Sequence, residues 1–580
     1  MVKDRPGNKP RNNRQSESEG AGAGGPSPEE EAAPRQKGAP SPIAVQQRRQ
    51  RFMVAPLPQQ LLPLGVPELS MNAVCDRLER MPDVTVIRRL QPSEKLQSAG
   101  VLPSCPEIAV VEAPETQLPA MLTLHVHIEP DLPLAGAGPA APAAGMLSLR
   151  DPGLVTLREA PVEISVRVCG PDGEPLAGAG VFLIGAAWPS QGITAADGRV
   201  TLTLATETAQ SLQSLYVRPA GGYTDRWIHR PDLSESQDNL VTLTPLAKVY
   251  PELEQRQSYG WGQQAMRLDR LPPTFRAFGI KTAVIGTGVS SGHPDLKQRV
   301  RSGTDLVRGT KDGWAHDPAG TGTHAAGIIA GADTGKGIIG IAVDAELDVC
   351  QVMPDGHFSD LIAALDHCIE READIAHIQV ATPYPSALVS RKLADATAAG
   401  IACIAPAGDT GGPVAFPASL PTVFAVGALG AFGTYPPDTS QATHTGLQLT
   451  PEGLFAAPFS CHGPAVNAAA PGVSVLSCAP QGGYTALDGT ITASAHIVGL
   501  AALVLAHHED FHGQVLPRGP GRVQHLFEII AASCRPLAAP GTLDAARTAG
   551  GLPDALIALG LAPGTQLAPA LSPFAPSMTG

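Results

Sequence analysis

The feature that most constrains this chain lies in its second half, where apolar runs with almost no polar alternation are separated by helical patterns. Residues 282–285 (TAVI), 401–407 (IACIAPA) and 423–428 (VFAVGA) read as strands covered on both faces. Residues 360–371, 388–399 and 492–507 carry the 3.6-residue helical period. Strands and helices alternating in this way call for a parallel sheet wound with helices on both sides. The expectation is a doubly wound α/β domain over residues 255–562, followed by a Pro-rich tail at 563–580.

At 580 residues the chain is too long for that domain alone. Residues 1–50 are rich in Gly, Pro, Ser, Glu, Arg and Gln and poor in large apolar groups, so they are expected to be a disordered tail. Over 51–130, FMVAP, VTVIRRL, EIAVVEA and LTLHVHIE read as strands. Residues 70–80 and 114–121 read as helices, with Ser70 and Pro114 suited to helix starts. That order gives a small α+β sandwich. An Ala/Pro/Gly linker is expected at 131–159. Over 160–247, VEISVRV, GVFLIGA, GRVTLTLA and SLYVRPA are β-rich runs punctuated by turn signals, which predicts a small β-sandwich.

The formal charge of −13, from 41 Lys and Arg against 54 Asp and Glu, excludes broad electrostatic attraction to nucleic acid or an anionic membrane. Nine scattered cysteines lack the paired spacing of a zinc site or disulfide module and are expected to be reduced core residues. The N-terminal stretch has no apolar run of signal-peptide length, and LAALVLAHH is too short to span a bilayer. The expected location is cytoplasmic.

Four segments hold the residues with chemical potential. They are GIKTAVIGTGVSSGHPDL (279–296), GTGTHAAGIIAG (320–331), IAPAGDTGG (404–412) and GTITASAHIVGLAALV (489–504). In this order they resemble the four signature segments of subtilisin-like serine proteases. GIIGIAVDAELDVCQV, FPASLPTVFAVGA and FSCHGPAVNAAAPGVSVLS resemble the same family at matching spacing. The resemblance covers about half the chain and implies a subtilisin-like fold. The 51–130 unit resembles the inhibitor-like propeptide of such proteases. PDGEPLAGAGV and ITAADGRVTL resemble the carboxypeptidase regulatory-like module.

The resemblance also exposes departures. Gly286 stands where the family has its catalytic Asp, Asp409 where it has the oxyanion Asn, and Ile491 where it has the nucleophilic Ser. It assigns the general base to His324, leaving Thr321 where a second histidine is usual. In that mechanism a histidine takes the serine proton, a carboxylate stabilises the imidazolium, and amide donors receive the oxyanion. Ile491 supplies no nucleophile, Gly286 no carboxylate, and an ionised Asp409 offers an acceptor where a donor is needed. Within subtilisins, loss of the nucleophile removes ~10⁶ in turnover and loss of an oxyanion donor ~10² to 10³.

HIQVATP (377–383) aligns with the strand that pairs with bound peptide in the family, and there Gln379 and Ala381 replace smaller residues, so the groove is expected to be narrower. Ala495 replaces the proline that precedes His496. Ser494, about one helical turn (~5 Å) after Ile491, is the alternative nucleophile, and Thr490 and Thr492 are the immediate neighbours of Ile491. A metal set of His324, Asp409 and His462 lacks any spacing signature, so no metal and no cofactor are expected.

The sequence therefore reads as a catalytically inactive subtilisin-like protein, a binding, regulatory or scaffolding pseudoprotease that keeps its N-terminal domain attached. Its expected partner is a protein or peptide, an active relative of the same family among them. The alternative is a serine-type endopeptidase with weak or unorthodox chemistry.

Overall fold

The computed structural model describes residues 49–136 and 161–562, apart from 124, 186–188, 205–207, 446–449, 515, 538–542 and 549. All of them belong to one compact unit, Arg48–Gly580. The tail expected at 1–50 lies outside the described residues up to 48, as do residues 137–159 of the linker and the tail at 563–580.

The N-terminal part is a four-stranded antiparallel sheet flanked by three short helices. Its elements are β1 (Arg49–Pro56), α1 (Met71–Glu79), β2 (Thr85–Leu90), α2 (Glu94–Ser98), β3 (Ile108–Pro114), α3 (Leu118–Met121) and β4 (Val126–Pro130). The sheet order is β2-β3-β1-β4. Arg49 and Gln50, assigned to the tail from composition, are the first residues of β1, paired with Pro114 and Ala113. Ser70 caps α1 by accepting from the Ala73 N–H, as short polar side chains do at helix starts. One face of the sheet packs Phe52, Val54, Ala109 and Val111 against α1. The other face sends Met53, Ala55 and Ile108 into a core shared with the large domain.

Next comes a sandwich of two sheets with one interior. Its strands are β5 (Val162–Cys169), β6 (Gly180–Ile184), β7 (Ser190–Ile193), β8 (Arg199–Leu204), β9 (Ser214–Arg218), β10 (Arg226–His229) and β11 (Asn239–Thr242). The sheet orders are β10-β9-β6-β7 and β11-β5-β8. Alternation along β5 buries Val162, Ile164, Val166 and Val168, the period of two expected of a half-covered strand.

The large domain is built on a mostly parallel sheet. Its strands are β12 (Lys281–Gly286), β13 (Val300–Asp305), β14 (Glu346–Gln351), β15 (Ile375–Ile378), β16 (Ala402–Pro406), β17 (Phe424–Ala431), β18 (Leu454–Ala456) and β19 (Val466–Pro471). The order is β13-β14-β12-β15-β16-β17, after which β17 pairs antiparallel with β18 and parallel with β19. A hairpin of β20 (Val475–Cys478) and β21 (Tyr484–Leu487) stands beside it.

The covering helices are α4 (Thr321–Ala330), α5 (Phe358–Glu370), α6 (Ala387–Ala398) and α7 (Thr490–His507). Helix α7 is long and apolar enough to cross a membrane by composition. Here every residue from Thr490 to Leu505 is buried in the protein. The cysteines are all free, and eight of the nine are buried.

Candidate active site

Ligand sites in parallel α/β sheets form beyond the carboxyl ends of the strands. β12 ends at Gly286, with Gln351 of β14 in register beside it and Gln379 directly after β15 on its other flank. Gln379 is fully buried. A Cβ placed on Gly286 would stand 2.1 Å from Gln379 Oε1 and 2.7 Å from its Cδ. The carboxamide therefore fills the space beside Gly286, and a carboxylate side chain at 286 would have to displace it. Neither Oε1 nor Nε2 of Gln379 has a hydrogen-bond partner. Leaving such a buried amide unpaired costs about 1–3 kcal/mol.

The head of α4 carries Thr321, whose Oγ1 lies 3.1 Å from Thr287 Oγ1, next in chain to Gly286. His324 sits one turn further along, 1% exposed, with Nε2 2.8 Å from the Val475 carbonyl. Burial pushes its pKa down to about 4. This corrects the assignment of His324 as general base: its ring is committed to the β20 backbone inside the protein. Thr321 is the residue of α4 at the end of β12, and a threonine hydroxyl does not titrate as a base.

Asp409 follows β16 and meets the head of α7. Its Oδ1 accepts from the Thr490 N–H at 2.8 Å and from Thr490 Oγ1 at 2.7 Å. A carboxylate at a helix N-terminus satisfies an orphan backbone donor and opposes the helix dipole. Its Oδ2 has no partner. Gly489, at φ +139°, makes the turn into the helix, and a Cβ there would lie 3.2 Å from Asp409 Oδ2. Burial, opposed by the two bonds from Thr490, raises the Asp409 pKa to about 6. Above that pH the group is an acceptor only.

Ile491 is 4% exposed and belongs to the large hydrophobic core. Ser494, the alternative nucleophile, is fully buried, donating to the Ile491 carbonyl at 2.9 Å. Its Oγ is also 2.8 Å from Nε2 of His377, a fully buried residue of β15. With the hydroxyl proton spent on Ile491, His377 donates from Nε2, which leaves its Nδ1 an unpaired acceptor. Burial pushes the His377 pKa down to about 3. The sequence reading had missed this pair; its signal was a lone histidine inside the apolar strand IAHI.

The set of His324, Asp409 and His462 is not brought together as a metal site. His324 is bound to Val475, Asp409 to Thr490, and His462 donates its backbone N–H to Gly412. Among the described residues, His293, Asp295 and Cys478 are the group close enough to share an ion. Both His293 nitrogens are engaged, by Gly483 and the Asp295 N–H, and Asp295 accepts from Thr334 and Tyr484. That chemistry is a satisfied hydrogen-bond network.

The groove beside this region is filled by the protein itself. Residues 131–136, read from composition as the start of a free linker, instead form an extended strap. The Phe358 N–H donates to the Leu132 carbonyl, the Leu134 N–H to the Gly356 carbonyl, and the Ala381 N–H to the Ala135 carbonyl, at 3.0, 2.7 and 3.0 Å. Gly136 pairs antiparallel with Val380. Gln379 thus does not narrow the groove as expected, because its side chain turns toward Gly286, and Ala381 contributes a backbone contact.

Two carboxylates, Asp131 at the start of the strap and Glu129 just before it in β4, bind helix N-termini. Asp131 accepts from the Ser359 N–H and Oγ of α5, each at 2.8 Å, and pairs with Arg51 at 3.2 Å. Glu129 accepts from Ser386 Oγ and the N–H groups of Ala387 and Leu388 at the start of α6. Arg88 adds an ion pair to Asp360 at 2.5 Å.

Comparison with known proteins identifies the large domain. Residues 278–526 match the model described as Peptidase_S8, the subtilase family. Subtilisin Savinase of Lederbergia lenta is 33% identical over 233 residues, covering 39% of this chain and 76% of the relative. The M-protease of Shouchella clausii (strain KSM-K16) is 33% identical over 233 residues, 39% of this chain and 54% of the relative. Subtilisin E of Bacillus subtilis (strain 168) is 32% identical over 237 residues, 40% of this chain and 56% of the relative. The chain thus spans about half the length of the latter two.

Proposed function

The chain belongs to the subtilase family, and within it we propose a binding or regulatory protein that has kept the fold and given up acyl transfer. The observation that carries this reading is Ile491, a buried hydrocarbon at the head of α7 where the resemblance places the nucleophile. An isoleucine cannot form the covalent acyl intermediate. The surroundings support the same reading. Gln379 fills the space a carboxylate at 286 would need, Thr321 replaces a titratable ring, and Asp409 is tied to the helix start.

The N-terminal unit stays on the large domain as part of one fold in this proposal. Its strap occupies the groove, Glu129 and Asp131 cap α6 and α5, and Met53, Ala55 and Ile108 share a core with those helices. The partner is a protein or a peptide segment, an active relative included. The free, mostly buried thiols support a reducing, cytoplasmic setting.

Intact-mass measurement of the purified full chain tests the proposal. The expected result is a single uncut mass; a self-generated break between residues 130 and 160 would refute it. A second reading, a serine endopeptidase of unorthodox chemistry, is favoured by one observation, the 2.8 Å contact of Ser494 with His377. Covalent labelling by a fluorophosphonate, abolished in Ser494→Ala, would establish that reading. The burial of both side chains predicts no labelling.

A further inference from the structure

The β-sandwich touches the large domain through backbone bonds on either side of Asp225. The Gly222 N–H donates to the Tyr484 carbonyl of β21 at 2.9 Å, and the Trp227 N–H of β10 to the Asp438 carbonyl at 2.8 Å. Asp225, just before β10, is buried between them against the short helix Ser440–His444 of the large domain. Ser440 Oγ donates to its Oδ2, while its Oδ1 has no hydrogen-bond partner. The neighbouring Arg226 is engaged elsewhere, with Nη1 donating to the Thr242 carbonyl and Nε 4.0 Å from Asp438.

Asp488, between β21 and α7, is buried beside this contact. Its Oδ1 accepts from the Ser474 N–H at 2.7 Å, and its Oδ2 lies 3.3 Å from Gln441 Nε2 and 3.0 Å from His444 Nδ1. Asp409, at the head of α7, adds a third carboxyl that acts on both Asp488 and His444. The phenols facing these groups, Tyr216, Tyr250 and Tyr435, are all held above their ordinary range, chiefly by burial, and Arg218 acts on Tyr216. Three carboxyls thus share one imidazole, and full ionisation leaves the cluster negative even with His444 charged. Burial, opposed by the Ser440 bond and reinforced by the charge of Asp488, lifts the Asp225 pKa to about 7. Burial lowers the His444 pKa, but the bond to Asp488 and its charge outweigh this and hold the ring above its ordinary value. Asp225 is the one carboxyl of the three that belongs to the β-sandwich, so parting the domains removes it from the other two.

We propose that this junction is a proton-sensitive latch, in which the β-sandwich docks on the large domain while Asp225 holds its proton and parts from it more readily once that carboxyl ionises. Docked, Asp225 titrates near 7; exposed to water, it returns to its ordinary 3.8. The docked form therefore keeps the proton longer, and docking is strongest in acid and weakens as pH rises through about 7. His444 also gives up its proton as pH rises, which removes the one positive charge beside the carboxylates. The latch concerns domain docking and holds whether or not the large domain hydrolyses peptides.

Hydrogen–deuterium exchange of the full chain, read by mass spectrometry and corrected for the intrinsic effect of pH, tests the latch. The Gly222 and Trp227 amides report docking, because both donate to carbonyls of the large domain. Their protection is expected to fall about twentyfold from pH 5.5 to pH 7.5, the ratio that titration at 7 docked and 3.8 undocked gives. Protection of β5, inside the β-sandwich, and of β17, inside the large domain, should stay constant. Asp225→Asn, which cannot ionise, should reduce the fall at the two reporters to less than threefold. Ser440→Ala removes a bond that favours the charged carboxylate, so it should move the midpoint of the fall to higher pH. The latch is overturned by wild-type protection that changes less than threefold, by a fall that survives Asp225→Asn, or by a midpoint that Ser440→Ala leaves in place. Loss of β5 protection in step with the reporters would also overturn it, since the β-sandwich would then be unfolding and not undocking.

Discussion

Replacing Asp409 by Asn should stabilise the protein at alkaline pH and leave it nearly unchanged in acid. The carboxyl is held at a pKa of about 6 against an ordinary 3.8, chiefly by burial. A folded-state pKa above the unfolded value means that the folded protein keeps its proton longer. Stability is therefore lost as pH rises from about 4 to about 6, and the full penalty persists above that. The shift corresponds to about 3 kcal/mol at pH 8. Asn keeps an acceptor for Thr490 but gives up the charge at the helix start, worth ~0.3–1 kcal/mol. The net expected gain is about 2 kcal/mol at pH 8, with a difference near zero or slightly negative at pH 4. Urea denaturation of both proteins from pH 4 to pH 8 measures it. A difference that stays flat across that range, or a variant whose deficit grows with pH, would refute the argument that burial dominates this site.

Gly286→Asp should cost about 2–4 kcal/mol, because its side chain must enter space held by Gln379 and bring a charge with it. The double variant with Gln379→Ser should recover about 1–3 kcal/mol in a double-mutant cycle, and strict additivity would show that the two positions do not compete. Ser494→Ala should destabilise by about 1–3 kcal/mol by leaving the Nε2 donor of buried His377 unpaired; denaturation midpoints report it, and a neutral effect would contradict the assigned tautomer. Asp131→Ala, which removes the cap on α5 and the partner of Arg51, should accelerate limited proteolysis within residues 131–136, and wild-type protection in that variant would mean that the strap is held by its main-chain contacts alone.

Elements set by local periodicity were legible in the sequence. The apolar runs at 282–285, 401–407 and 423–428 became β12, β16 and β17, and the helical patterns became α5, α6 and α7 with ends shifted by one or two residues. α2, only five residues long, escaped notice because so short a segment shows no period. Motif spacing singled out Gly286, Asp409 and Ile491, which lie at the end of β12, after β16 and at the head of α7. It failed at His324, where a histidine inside a matching segment drew the role of base although its ring points to the Val475 carbonyl. It failed again at residues 131–136, whose Pro and Ala content reads as a spacer.

The sequence by itself therefore determined the doubly wound domain, the β-rich block before it and the absence of a nucleophile at residue 491, since each follows from residue type and local spacing. Tertiary structure alone decided which side chain fills the space beside Gly286, which oxygen caps α7, and what lies in the groove. Those outcomes depend on contacts between segments far apart in the chain. Gln379 meets Gly286, Asp409 meets Thr490, and the strap meets Gly356 and Ala381 only after the sheet has brought them together. The Leu134–Ala135 backbone carries donors and acceptors that any residue has, so no composition could announce where it would pair.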